Sequence, residues 1–302
     1  MDPRKKQVII ILGPTASGKT SLAIALARYF QTEIISADSR QCYKELNIGV
    51  ARPSEKELAA VPHHFIASHS IQHECSASDF EKFAVNKAMS LLEKNDTVII
   101  AGGTGLYIRA FCEGLDEIPA VDPAIRERII QEYEKNGIGW LQKQLKEKDP
   151  VFAEKGEMQN PQRMMRALEV FEATGNSIYH FRRTEKAQRP FAIKMIGIDL
   201  PKEELNQRID LRVDQMMRQG LLDEVRSLQP FKHLGPLRTV GYSELFDHLE
   251  GLTDLPDAIK LIKTHSRQYA KRQMTWFRRD TSIHWLNKPE PAEALAFLQE
   301  NK

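Results

Sequence analysis

The sequence is poor in cysteine, with only Cys42, Cys75 and Cys112 in 302 residues. Three thiols cannot build a disulfide framework, and such sparing use fits a reducing, cytoplasmic location. Long apolar runs are missing too. None approaches the ~18 residues of a membrane span, so no membrane partner is expected. The amino-terminal Arg4-Lys5-Lys6 leads into an apolar run, Val8–Leu12, that is too short for a signal core and meets a glycine loop at once. Neither sign of charge is in excess: 43 basic residues against 41 acidic ones leave a net +2. Any nucleic-acid binding must therefore come from local clustering. Repeats and low-complexity tracts are also absent. The 41% of apolar residues suffices for a core and excludes wholesale disorder. At roughly 150 residues per domain, the length allows two domains, or one with an insertion.

Three short β-branched runs stand out early: Gln7–Leu12, Glu33–Ala37 and Thr97–Ala101. Each is too short for a helix and too apolar for a loop, which predicts buried parallel strands. Helical patterns separate them, over Thr20–Phe30 and over Ser78–Glu93. In the second, Ser78 is the expected N-cap, with Glu81 completing a capping box. From about Gly114 to Pro190 only helices are predicted. One opens at Asp122-Pro123 and closes at Gly137, a second covers Trp140–Lys148, and a third runs from Pro161 to Thr174 before Gly175. Strands return at Ala192–Leu200 and Ile283–Leu286, with helices over Pro201–Leu228 and Pro256–Arg279. The expected fold is α/β, a P-loop-type parallel sheet core (1–113 and 191–302) with a helical insertion domain (114–190).

Gly13-Pro14-Thr15-Ala16-Ser17-Gly18-Lys19-Thr20 matches G-x-x-x-x-G-K-[ST], with a strand before it and a helix after. Its glycines let backbone N–H groups turn inward around phosphate oxygens. Lys19 adds a charge, and the Thr20 hydroxyl is placed to hold Mg²⁺. The loop alone says phosphate and does not choose between ATP and a diphosphate. Asp38 ends the second strand, at the sheet edge where α/β folds bind ligands. It could hold Mg²⁺ through water, act as a general base, or merely cap the turn Ser39-Arg40-Gln41. Gly102-Gly103-Thr104-Gly105 reaches the same edge and could form a second anion nest or a plain turn.

The order of these motifs, followed by Asn160-Pro161-Gln162-Arg163, Arg166-Ala167-Leu168-Glu169, Val240-Gly241-Tyr242, Lys271-Arg272-Gln273 and Thr275-Trp276, resembles the bacterial tRNA dimethylallyltransferase (tRNA isopentenyltransferase) family over nearly the whole chain. The resemblance implies transfer of a dimethylallyl group from dimethylallyl diphosphate to the exocyclic amine of the adenosine 3′ of the anticodon, with Mg²⁺ assisting and diphosphate leaving. It implies that Gly13–Thr20 hold the diphosphate, with Lys19 and Thr20 in contact and Arg212 assisting. Asp38 would take the amine proton, with Thr104 beside the base and the reacting carbon. Contacts to tRNA are implied for Asp38, Ser39, Arg40, Gln41, Thr104, Arg126, Gln162, Arg163, Met164, Met165, Arg166, Arg238, Thr239, Val240, Gly241, Tyr242 and Ser243. The insertion would grip the anticodon stem-loop, and a monomer is expected. One departure from the family pattern is Val50-Ala51-Arg52-Pro53 in place of Thr-Ala-Lys-Pro: Arg52 keeps the charge, and Val50 loses a hydroxyl.

This chemistry is physically coherent. Cations and backbone N–H groups would stabilise the diphosphate as it departs, and the allylic carbon needs a pocket free of water. The amine is a poor nucleophile that a carboxylate can deprotonate as the new bond forms. The target base must leave its stack. These needs predict a channel through the core, with diphosphate entering on one side and the base on the other. Arg208 and Arg212 share a helix face with Asp210 and Asp214 nearby. Lys263, Arg267 and Lys271 form a stripe with Tyr269, Trp276 and Phe277 interleaved, fit for a phosphate backbone or for a solvated helix with its aromatics in the core. His63, His64, His69, His73 and Cys75 crowd thirteen residues but match no zinc spacing, and they read as ordinary loop or strand residues.

Three rival readings remain at this point. An adenylate isopentenyltransferase would use the same loop and Asp38, but it needs neither an insertion nor a basic helix. A P-loop small-molecule kinase would turn over ATP. A non-catalytic RNA-binding protein would not need intact Lys19 and Thr20.

Overall fold

The computed structural model describes residues 6–182 and 185–300, so Arg4 and Lys5 of the basic amino-terminus lie outside the described residues. Six strands form one sheet: β1 (Gln7–Leu12), β2 (Ile34–Ala37), β3 (His63–His64), β4 (Thr97–Gly102), β5 (Ala192–Ile198) and β6 (Ile283–Leu286). Their order is β3-β2-β4-β1-β5-β6 and every pairing is parallel. Helices α1 (Lys19–Tyr29), α2 (Glu55–Ala60), α3 (Ala77–Lys94) and α4 (Gly105–Glu113) come first. Next come α5 (Pro123–Lys148), α6 (Pro150–Lys155) and α7 (Pro161–Thr174). Then follow α8 (Lys202–Arg218), α9 (Leu221–Ser227), α10 (Ser243–Leu249), α11 (Leu255–Phe277) and α12 (Pro291–Glu300). The chain divides into two compact units, Met1–Glu113 with Gln188–Lys302, and Gly114–Ala187.

Strand β1 explains why the sheet is buried on both faces. Val8, Ile10 and Leu12 point into one apolar cluster with Phe80, Ile100, Tyr107 and Phe111. Ile9 and Ile11 point into another with Leu22, Leu26, Ile99 and Leu298. All five of these residues are fully buried, each side chain stabilising the fold by roughly 1.5–3 kcal/mol. Such two-sided burial is what makes a parallel strand read as an unbroken apolar run. Strand β1 lies between β4 and β5, so successive connections run to opposite sides of it. That reversal opens a crevice at its carboxyl end.

The capping box of α3 is corrected from Ser78/Glu81 to Ser76/Asp79. The Ser76 hydroxyl accepts from the Asp79 N–H, and the Asp79 carboxylate accepts from the Ser76 N–H at 2.9 Å. Both pairs fit the serine-x-x-acid spacing, and the earlier one starts the helix one turn-fraction sooner. Helices α2, α4, α6, α10 and α12 and the two-residue β3 are additions to the sequence reading. The expected helix over Pro201–Leu228 is two helices, α8 and α9, because Gly220 adopts φ 97 between them.

The second unit has its own core of Ile129, Leu141, Leu145, Phe152, Met164, Met165 and Leu168. Gly137, at φ 71, interrupts α5 where the sequence places a helix end, and Gly175 closes α7 in the left-handed region.

Candidate active site

One cavity of about 1030 Å³ lies at the carboxyl edge of the sheet. Its wall includes Thr15–Ser21, Asp38–Gln41, Ile48–Ser54, Ala101–Gly103, Arg212 and Arg238–Gly241 with Ser243. Five segments separated in sequence, with Arg212, thus face one space.

The phosphate loop joins β1 to α1. Gly18 sits at the helix N-terminus with φ 92, a conformation that a side chain would strain. Gly13 and Pro14 form the buried base of the loop and stay out of the cavity wall. Ser17 is on the wall yet its buried hydroxyl has no partner among the described residues, an orphan that a phosphate oxygen would satisfy. The Lys19 ammonium donates to the Pro14 carbonyl at 2.6 Å. Burial, then the charge of Arg212, lower its pKa to about 7, with Asp38 opposing. Arg212, on α8, donates to the Thr15 hydroxyl at 3.1 Å. Its pKa is lowered by burial, but a guanidinium stays charged. Two cations held close together with too little counter-charge describe a site built for an anion.

Asp38 directly follows β2. Its Oδ1 accepts from the N–H of Arg40 at 2.9 Å and of Gln41 at 3.3 Å, an Asx turn that fixes the carboxylate. Both bonds fall on one oxygen. The turn-capping reading and the chemical one are therefore compatible. The Thr104 hydroxyl accepts from the Ser39 N–H at 3.0 Å and donates to the Ser39 hydroxyl at 3.3 Å. Thr104 follows the wall segment Ala101–Gly103 and holds Ser39, itself on the wall. Gln41 donates to the carbonyls of Val50 (3.2 Å) and Ala51 (3.0 Å), so the contact at position 50 is made by backbone and survives the lost hydroxyl. Arg52 donates to the Tyr43, Lys44 and Leu46 carbonyls, a fork that fastens this loop.

Several holding residues were not among the expected site residues. Gln273 on α11 is buried. Its Oε1 accepts from the Thr15 N–H, and its Nε2 donates to the Gly103 carbonyl, both at 2.9 Å. It ties the phosphate loop to the end of β4. Glu224 on α9 accepts from the N–H groups of Ile48 (2.7 Å) and Gly49 (3.1 Å) and from the Tyr242 hydroxyl at 2.5 Å. Buried Glu244 accepts from the Gly241 N–H at 2.7 Å, and His265 pairs with it at 2.6 Å. Tyr269 also lines the cavity. Burial and the charge of Asp38 push its phenol up to about 12.

Some expectations are corrected here. Tyr242 is fully buried and faces Glu224, so it supports the Arg238–Ser243 segment instead of offering its ring to a ligand. Met164 and Met165 pack the core of the helical unit, which leaves their neighbours Arg163 and Arg166 for contact. Arg163 pairs with Glu157 at 2.5 Å, Gln162 is exposed, and Arg126 and Arg166 both reach the buried Glu169. The basic stripe of α11 is largely neutralised: Lys263 meets Asp214 at 2.7 Å and Arg267 meets Asp210 at 2.9 Å, both acids on α8. The stripe is a helix–helix seam more than a free phosphate-binding face. In the Gly102–Gly105 turn the Gly103 carbonyl accepts from Gln273, and α4 opens at Gly105.

Comparisons with known proteins accord with this geometry. The family model described as IPP transferase matches residues 41–280. A tRNA dimethylallyltransferase of Christiangramia forsetii is 48% identical over 98% of both chains. Among solved structures, the full-length tRNA isopentenylpyrophosphate transferase of Bacillus halodurans superposes with a TM-score of 0.70 at 32% identity, over 98% of this chain and 95% of that one. A eukaryotic dimethylallyltransferase acting on tRNA gives a TM-score of 0.75 at 28% identity, over 93% of this chain and 73% of the other.

Proposed function

The chain belongs to the IPP transferase family and has tRNA dimethylallyltransferase activity; on that premise we propose how its residues divide the reaction. The observation that carries the reading is the shared cavity, in which half-buried Lys19 and Arg212, the fixed carboxylate of Asp38 and the Arg238–Ser243 segment face one space. Lys19, Arg212 and the inward N–H groups of the phosphate loop bind the diphosphate of dimethylallyl diphosphate. They stabilise the negative charge that grows as the allylic carbon–oxygen bond breaks. Asp38 accepts a proton from the exocyclic amine of the adenosine 3′ of the anticodon as that nitrogen bonds to the carbon. The Arg40 and Gln41 amides hold Asp38 in position for this transfer. Thr104 and Gln41 are positioning residues for the same turn.

The Thr20 hydroxyl and the Asp38 carboxylate line the cavity as hard oxygen donors, a set that suits Mg²⁺ bound mainly through water and phosphate. When bound there, Mg²⁺ would neutralise part of the diphosphate charge. The Arg238–Ser243 backbone and the exposed polar residues Arg126, Gln162, Arg163 and Arg166 of the helical unit are assigned to tRNA, the helical unit taking the anticodon stem-loop. A cytoplasmic monomer is the working form; among the described residues no helix is long and apolar enough to cross a membrane.

The test is incubation of the pure protein with unmodified tRNA, Mg²⁺ and labelled dimethylallyl diphosphate, beside Asp38→Ala and a free-AMP control. Label in tRNA that is lost in the variant supports the assignment. Label in AMP, or ATP consumption without label transfer, overturns it.

A further inference from the structure

We propose that Cys42, His69 and Cys75 form a binding site for a zinc-class cation, separate from the diphosphate cavity. The two Sγ atoms and a ring nitrogen of His69 lie within 4.8 Å of one another. Tetrahedral zinc with bonds of about 2.3 Å to sulfur and about 2.0–2.1 Å to nitrogen sets its ligands roughly 3.4–3.8 Å apart. The three donors thus need to close by about 1 Å at most, which side-chain rotation supplies. Linear spacing hid this site because the histidine-rich run lacks its third partner. Cys42 comes from the turn after β2, and His63 and His64 are engaged elsewhere, with Val61 and Glu33.

The surroundings are organised as for a ligand set. The His69 and Ser68 N–H groups both donate to the Cys42 carbonyl, at 2.9 and 2.8 Å, and the Lys44 N–H donates to the His69 carbonyl at 2.8 Å. This backbone ladder fixes Cys42 against His69. The Cys75 N–H donates to the Tyr43 hydroxyl at 3.1 Å, and the Tyr107 hydroxyl meets the Cys75 carbonyl at 3.2 Å and its Sγ at 3.8 Å. The Ser68 hydroxyl lies 2.8 Å from His69 Nδ1. With Nδ1 spent on Ser68, Nε2 is the nitrogen left for an ion, and Ser68 would be the outer partner that metal-binding histidines need. Cys42 is buried, whereas His69 and Cys75 are half-exposed, which gives an ion a way in.

The donor chemistry selects the ion. Two sulfurs and an imidazole suit zinc and match neither Mg²⁺ nor Ca²⁺, so this is not the cation of the diphosphate site. Binding releases the two thiol protons to solvent, and the resulting Zn²⁺–dithiolate–imidazole unit is neutral, with water in the fourth position. Cys42 closes the Asp38–Cys42 turn, so the ion would brace the turn that carries the carboxylate.

The experiment uses the full chain, reduced and stripped with chelator, then titrated with Zn²⁺ and with Co²⁺. One equivalent of Zn²⁺ per chain is expected, with thiolate-to-cobalt charge-transfer bands for Co²⁺. Cys75→Ser and His69→Asn, checked for native circular dichroism, should abolish both signals. Ser68→Ala should weaken zinc affinity by about 10–100-fold, a graded loss that does not depend on removing a ligand. Asp38→Asn should keep full zinc binding, which separates this site from the cavity. Stoichiometric binding that survives Cys75→Ser overturns the proposal. So does binding below one equivalent, or a Cys42–Cys75 disulfide that takes up no zinc after reduction.

Discussion

Lys19 makes a quantitative prediction about proton uptake. In the free protein its pKa is lowered to about 7 by burial and by Arg212. A diphosphate bound against it supplies the missing counter-charge and returns the ammonium to its ordinary range near 10.4. The sign follows from the two states. Between those pKa values the free protein lacks the proton and the complex holds it, so binding takes one up. At pH 8 a group of pKa 7 is about one-tenth protonated, so uptake should reach about 0.9 proton per site. Between pH 8 and pH 9 the observed affinity should then fall by close to tenfold, about 1.4 kcal/mol. The ligand does not interfere there, because phosphate groups titrate near pH 6. The assay is calorimetry of dimethylallyl diphosphate binding without tRNA, in two buffers of different ionisation enthalpy. Lys19→Arg, permanently charged, should abolish the uptake while keeping measurable binding. An uptake near zero at pH 8, or an equal uptake in Lys19→Arg, would refute the reasoning.

Three further outcomes are expected. Asp38→Asn should lower kcat by about 10²–10⁴-fold while tRNA affinity stays within a few-fold, as measured by single-turnover kinetics and filter binding. Gln273→Leu leaves the Thr15 N–H and the Gly103 carbonyl without their partner, so it should cost about 1–3 kcal/mol in denaturant unfolding and raise the KM for dimethylallyl diphosphate. Gly49→Ala would put a methyl 2.5 Å from the Tyr242 ring, and a loss of roughly 1–3 kcal/mol in the same unfolding assay is expected.

The elements legible in the sequence are those whose signal is local. Val8–Leu12 and, within Thr97–Ala101, Val98–Ile100 announce buried strands because their side chains must be apolar when both sheet faces are covered. Gly13–Thr20 and Asp38 are legible because phosphate binding needs a fixed local spacing. Illegible features depend on what folds against them. Serines 76 and 78 offer two capping boxes, and only the observed helix start decides between them. The two-residue β3 is too short to show any period. Lys263 and Arg267 looked like an open basic stripe because the acids that meet them, Asp214 and Asp210, come from another helix. Tyr242 carried the family signal, and Met164 only an implied contact, at positions where the side chain turns inward. A motif thus marks a segment without telling which of its side chains touches a ligand.

The buried polar residues explain why the site can be built from loops at all. Irregular backbone leaves N–H and C=O groups unpaired, and each must be satisfied where water is excluded. Gln273 does this for Thr15 and Gly103, and Glu244 does it for Gly241. Partly buried Glu224 does it for Ile48 and Gly49. In each case a single side chain on a regular helix, α11, α10 or α9, fastens a loop that faces the cavity. The helices are anchored in the apolar core through Phe277, Leu245 and Val225, so core packing is passed to the loops through one or two hydrogen bonds each. Ser17 is the exception within the phosphate loop, where the buried hydroxyl has no such partner. Satisfied loops around an unsatisfied hydroxyl and a Lys19 whose pKa is lowered to about 7 make a site whose scaffold is braced by the protein's own helices and whose charges suit an anion. That arrangement ties affinity to ligand charge more than to rearrangement of the protein.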